Sequence, residues 1–148
     1  MNQTSVNILS VGGYLFMLAG ILSLYFTGTL FSYEPVVIAL QVLAVGLMAW
    51  ARITFGGRSF HLTANPTEGG LVTSGPYKFI RHPIYAAVLL FALPGLVANF
   101  SLLGTCSAAV MLAGTFARIF CEEHLVRKQY PEYNQYAEKT KRLIPFLF

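Results

Sequence analysis

The chain has 148 residues, of which 55% are apolar and 11% charged, and a formal net charge of +4; soluble domains run at roughly 45–50% apolar and about 25% charged. So few charges cannot coat a water-soluble domain while that much apolar side chain hides inside it, which excludes that class and points to one membrane-embedded domain, 1–148. The positive balance does not make a nucleic-acid binder either. None of the ten Lys and Arg residues precedes Arg52, and they fall in two segments, Arg52 to Arg81 and Arg118 to Arg142, with apolar chain between. That is the positive-inside pattern, with both segments and both termini cytoplasmic.

Residues 7–31 carry no charge and are long enough to span a bilayer, which takes about 20 residues. The start lacks the basic n-region and small-residue cleavage site of a secretory signal. Gly12, Gly20 and Gly28 recur every eight residues, which fits either close helix–helix approach or plain tolerance of glycine in lipid. Ser32-Tyr33-Glu34-Pro35 makes a tight connection, and Pro35 opens a second span, 35–51, with Trp50 and Arg52 as interface anchors. These two spans form a helical hairpin.

The polar segment 52–83 follows, punctuated by Gly56-Gly57, Asn65-Pro66, Gly69-Gly70 and Gly75-Pro76. At about thirty residues it is too long for an idle connector, which marks it as a functional loop. It shows no helical period, and Leu71-Val72-Thr73 reads as an extended piece. His61 has no other His or Cys at ligand spacing, so no metal is expected. Cys106 and Cys121 sit on one predicted helix, roughly 22 Å apart at 1.5 Å per residue, too far to bridge. They read as small buried apolar residues.

Apolar chain resumes as a third span, 84–98, containing Pro94-Gly95, and a fourth, 102–121, joined by a turn around Pro94–Ser101. The fourth runs on as helix to about Gln129, and Gly104, Ala108, Gly114 and Thr115 give it a small-residue stripe for another helix. In the tail, 122–148, Pro131 opens a short amphipathic helix from Glu132 to about Lys141, and Ile144-Pro145-Phe146 touches back on the membrane. The expected fold is all-α: a polytopic membrane protein with four transmembrane helices, a cytosolic loop 52–83 and a C-terminal helical tail.

Two constellations break the apolar pattern. From Gly75 to Tyr85 the chain crowds together a Gly-Pro turn, Tyr77, Lys78, Arg81, His82 and Tyr85. Pro83 suits the first turn of a helix, which places His82 beside an N-terminus that favours an anionic group. This is either the head of a membrane-embedded cofactor site or a basic juxtamembrane anchor. The second is Arg118 with Glu122, four residues on and so on one helical face, then Glu123 and His124. Boundary ions are functional by default, although an Arg–Glu pair can also snorkel and hold a helix end. Both constellations lie at the same membrane face, one before helix three and one after helix four, within reach of one small polar molecule. Tyr130, Tyr133 and Tyr136 either line that site or form an aromatic belt.

Leu71-Val72-Thr73-Ser74-Gly75-Pro76-Tyr77 followed by Arg81-His82-Pro83-Ile84-Tyr85 is similar to the first signature of the isoprenylcysteine carboxyl methyltransferase family of membrane enzymes. Arg118, Glu122-Glu123 with Leu125, Tyr133, Tyr136 and Arg142 to Pro145 resembles its second. The resemblance covers about the C-terminal half of the chain. It implies S-adenosyl-L-methionine (SAM) as cofactor, held by the loop, helix four and the tail. By position, Leu71 and Val72 contact it largely through backbone, Tyr77, His82, Pro83 and Tyr85 surround it, Glu122 binds it, and Arg118 faces the methyl acceptor. The interval from Glu123 to Tyr133 is shorter than the family's by about a residue, so which of Glu122 and Glu123 holds the cofactor stays open.

The residues' own chemistry agrees. His82 and the N–H groups near Pro83 suit a carboxylate, and Glu122 suits an ammonium or ribose hydroxyls. A carboxylate acceptor needs no general base at neutral pH, and Arg118 can orient it bidentately. For an amine or thiol, Glu123 or His124 is the candidate for removing a proton. The absence of G-x-G-x-x-G gives no support to a Rossmann site. The expected partners are a lipid-like or prenylated acceptor and membrane lipid. Two alternatives remain. One is an NADPH-dependent sterol- or enone-reductase-like enzyme, with Arg58, Lys78 and Arg81 meeting a 2′-phosphate. The other is a non-enzymatic membrane subunit whose basic loop grips anionic lipid or a partner.

Overall fold

Long uncharged runs become helices in lipid because only a helix satisfies every backbone N–H and C=O within its own segment. The computed structural model describes residues 2–56, 70–145 and 147. The expectations attached to Gly57, Arg58, His61, Asn65-Pro66, Gly69 and Phe146 lie outside the described residues. The helices are α1 (Gln3–Phe26), α2 (Pro35–Phe55), α3 (Pro83–Ala98), α4 (Leu102–Gln129) and α5 (Tyr133–Lys139), with a 3-10 turn at Gly75–Lys78. Among the described residues there is no strand, only an isolated parallel bridge between Ile80 and Lys141; Leu71-Val72-Thr73 belongs to no regular element.

Helices α1, α2 and α4 are long and apolar enough to cross a membrane, and α3 is a shorter apolar helix. The four expected spans are thus three plus α3, whose 16 residues reach about 24 Å against ~30 Å of hydrocarbon. Asn2 caps α1 by accepting from the Ser5 N–H at 2.8 Å. The helix ends at Phe26 and not near 31, because Gly28 takes a left-handed φ of +69° that a continuing helix cannot adopt. Pro94 lies inside α3, so the turn to α4 is confined to Asn99–Ser101. Beside it, a Cβ on Gly95 would come 2.1 Å from the Leu30 carbonyl oxygen, so only glycine admits the α1–α2 connection here. The buried Gln41 amide donates to that same Leu30 oxygen at 2.8 Å and to Phe91 O at 3.1 Å, tying α2, α3 and the connection together.

Helix α1 packs along α4, and α2 along α3. The α1–α2 hairpin is therefore a connection and not the packed pair. Lipid is as apolar as a leucine side chain, so faces that allow close backbone approach choose the partner. A Cβ on Gly114 would lie 2.4 Å from Gly13 O, and one on Gly20 would lie 2.6 Å from Met111 N. Further along, the Ser23 and Ser107 hydroxyls bond at 2.7 Å. The expected small-residue stripe on α4 meets α1 at Gly114. On α1 the face is Gly13 and Gly20, whereas Gly12 meets nothing within 4 Å and Gly28 lies past the helix end. Val6 packs on Cys121 and Leu125 at the far end of α4, so the two helices run antiparallel. Both cysteines are free, Cys121 buried and Cys106 exposed.

Candidate active site

The loop is pressed onto the end of α2. Gly75 has φ +56°, and a Cβ there would fall 2.5 Å from Thr54 Oγ1 and 3.2 Å from Trp50 Nε1, so its glycine is required twice over. Tyr77 is buried in the 3-10 turn that follows, with its ring 5.4 Å from that of Phe55. Pro83 then opens α3 with His82 as its N-cap, as Pro at the first helical turn predicts. The tail pins this segment. Arg81 N–H donates to Lys141 O at 2.7 Å and His82 N–H to Arg142 O at 3.0 Å. The Arg81 side chain also donates to the carbonyls of Ala137 and Thr140, closing the last turn of α5.

The tail tyrosines are joints of this assembly. Tyr136 donates its hydroxyl to Tyr77 O at 2.6 Å. Burial pushes its phenol up to about 12, so it stays protonated and donating at neutral pH. Tyr133 is buried with the Arg127 guanidinium 5.6 Å from its ring centre. Tyr130 caps the C-terminus of α4.

Adjacent residues on a helix diverge, and the two glutamates of α4 do so. Glu123, its side chain 5% exposed, receives Arg81 Nε at 3.2 Å, Arg127 Nη2 at 3.3 Å, Arg142 Nε and Nη2 each at 3.1 Å, and His82 Nε2 at 3.4 Å. Glu122 is 27% exposed; its Oε1 accepts from the Tyr85 hydroxyl and, at 3.1 Å, from Arg118 Nη2. His82 stands between them, with Nδ1 3.7 Å from Glu122 Oε2. Arg118 is itself buried; its Nε donates to the Tyr85 hydroxyl at 2.9 Å, and its guanidinium lies 5.3 Å from the ring centre of Tyr14 on α1. Helices α3 and α4 touch little along their lengths, and these side chains bridge their ends.

The isoprenylcysteine carboxyl methyltransferase (ICMT) family model matches residues 36–128, a segment that contains both the His82–Tyr85 turn and the Arg118–Glu123 face. The chain belongs to this family. Among curated relatives, protein-S-isoprenylcysteine O-methyltransferase A of Arabidopsis thaliana is 31% identical over 113 residues, 73% of this chain and 57% of that protein. Cobalt-zinc-cadmium resistance protein CzcN of Cupriavidus metallidurans is 30% identical over 123 residues, 77% of this chain and 51% of its own. Nickel-cobalt-cadmium resistance protein NccN of Alcaligenes xylosoxydans xylosoxydans is 29% identical over 124 residues, 74% and 53%. The chain spans about half the length of the curated relatives it matches. No solved structure gives a significant match.

In this ICMT-family membrane protein, the structure brings together His82, Pro83, Tyr85, Arg118, Glu122 and Glu123. Tyr77 adjoins them through the loop, and Leu71 and Val72 are half-buried in the irregular stretch ahead of the 3-10 turn. His124 stacks instead on Phe120, ring centres 6.5 Å apart. Among the described residues, no group of three or more His, Cys, Asp and Glu could hold a metal ion. Arg81, expected from sequence only against a 2′-phosphate, instead joins Arg142 around Glu123, and neither Arg142 nor Tyr14, which lies against Arg118, had an individual role assigned from sequence. For Tyr14 a signal existed, a phenol inside an uncharged span directly after a glycine.

Proposed function

We propose that the chain is a SAM-dependent methyltransferase acting at the cytoplasmic face of a membrane, and that its acceptor is the carboxylate of a lipid-like, prenyl-bearing molecule. The observation that carries this reading is the meeting of His82 and Tyr85 from the start of α3 with Arg118 and Glu122 from the end of α4. The donor set fits SAM. Glu122 is the more exposed of the two acids and suits an ammonium. His82 and the first-turn N–H groups after Pro83 suit a carboxylate. Leu71, Val72, Tyr77, Pro83 and Tyr85 supply the walls.

When bound, SAM supplies an electrophilic methyl group on a sulfonium that leaves as a neutral thioether. What remains for the protein is positioning. Arg118, fixed by Tyr85 and Glu122, orients the acceptor carboxylate, while an apolar acceptor tail stays among the lipid-facing helices. A carboxylate acceptor has no proton to lose at neutral pH. Glu123, enclosed by Arg81, Arg127 and Arg142, therefore reads as a clamp that holds His82 and the tail, and no base is required of it.

Membrane extracts incubated with isotopically labelled SAM, with and without the protein, test this by mass spectrometry. The expected product is a base-labile methyl ester on a prenyl-bearing acid. Base-stable label on an amine or thiol would replace the acceptor class, and no protein-dependent label would overturn the reading.

A further inference from the structure

The ICMT family match begins at residue 36, which leaves α1 outside it, yet α1 reaches the site. Gly13 brings its backbone against α4: a Cβ there would stand 2.9 Å from Gly114 O, 3.1 Å from Ala117 Cβ and 3.3 Å from Arg118 Cγ. The next residue, Tyr14, is half-buried and carries the Arg118 guanidinium 5.3 Å from its ring centre. From its edge that guanidinium donates Nε to the Tyr85 hydroxyl at 2.9 Å and Nη2 to Glu122 at 3.1 Å. An aromatic ring against the group confines its plane, and its quadrupole holds a cation in surroundings where water cannot.

We propose that Tyr14 is a positioning residue for methyl transfer, acting through Arg118, and that α1 is therefore part of the catalytic unit. The inference rests on the reading of Arg118 as the group that faces the acceptor. It predicts that the ring face matters and the phenol hydroxyl does not. Space-filling alone would be satisfied by any apolar side chain of similar bulk.

The test uses the full chain in detergent, as wild type, Tyr14→Phe and Tyr14→Leu. Three quantities are read for each: melting temperature, SAM affinity, and transfer of labelled methyl to an N-acetylated S-prenyl cysteine or, failing that, to a pooled membrane extract. Tyr14→Leu is expected to cut transfer roughly 10- to 100-fold, through kcat or the acceptor KM, with SAM affinity unchanged. Tyr14→Phe should stay within about threefold of wild type, since it keeps the aromatic face. Wild-type transfer by Tyr14→Leu would overturn the proposal. So would a loss in Tyr14→Leu that follows an equal fall in SAM affinity and melting temperature, because that marks a packing role only. A wild-type protein that fails to bind SAM or to transfer label refutes instead the methyltransferase reading beneath it.

Discussion

Replacing Glu123 with alanine is expected to destabilise the protein by about 3–5 kcal/mol, the usual cost of removing one partner from a buried ion pair. Its carboxylate is where the loop, α4 and the tail meet, through Arg81 and His82, Arg127, and Arg142 respectively. Arg81 and His82 have side chains only 9% and 8% exposed, so losing that carboxylate leaves their polar atoms short of a partner away from water. Arg127 is 47% exposed and adds little, because water screens its half of the pair. The loss should appear as a lower melting temperature in detergent and faster proteolysis between α4 and α5, as the tail comes off the loop. An unchanged melting temperature with an intact tail would show that the cluster does not hold these segments together.

Arg118→Lys should lower methyl transfer by about 100-fold with SAM affinity nearly unchanged. The substitution keeps the charge but not the fork. A lysine ammonium cannot reproduce the two edge bonds, 2.9 Å to the Tyr85 hydroxyl and 3.1 Å to Glu122, and still present a planar pair of donors to a carboxylate. Steady-state kinetics against labelled SAM measure it. Turnover within about twofold of wild type would remove Arg118 from the acceptor side.

The parts of this structure that depend on neighbours in sequence were legible in it. Pro83 fixed where α3 starts, the spacing of Arg118 and Glu122 fixed their pairing, and the uninterrupted apolar runs fixed α1, α2 and α4. Choices made between distant segments were not legible. Gly12 and Gly13 are equivalent by composition, and only docking against Gly114 shows which of them faces the partner. Pro94 reads as a turn by itself, but the helix passes through it, and the closely packed Gly95–Leu30 contact and the Gln41 amide hold that stretch in place. Around Glu123, the helical period points to Arg127 alone; Arg81 and Arg142 arrive through the bridge between Ile80 and Lys141, which no local pattern announces. The same bridge turned Tyr133 and Tyr136 from candidate site lining or belt residues into joints of the tail, Tyr133 buried and Tyr136 half-buried.

The central claim is that His82 and Glu122 meet in order to hold SAM. Calorimetric titration of SAM into the detergent-solubilised wild type, Glu122→Gln and His82→Ala tests it most directly. Saturable binding by the wild type, weakened about 10- to 100-fold in each variant by the loss of a charge-assisted contact, is the predicted result. Absence of saturable binding by the wild type, or equal affinity in all three proteins, would contradict it.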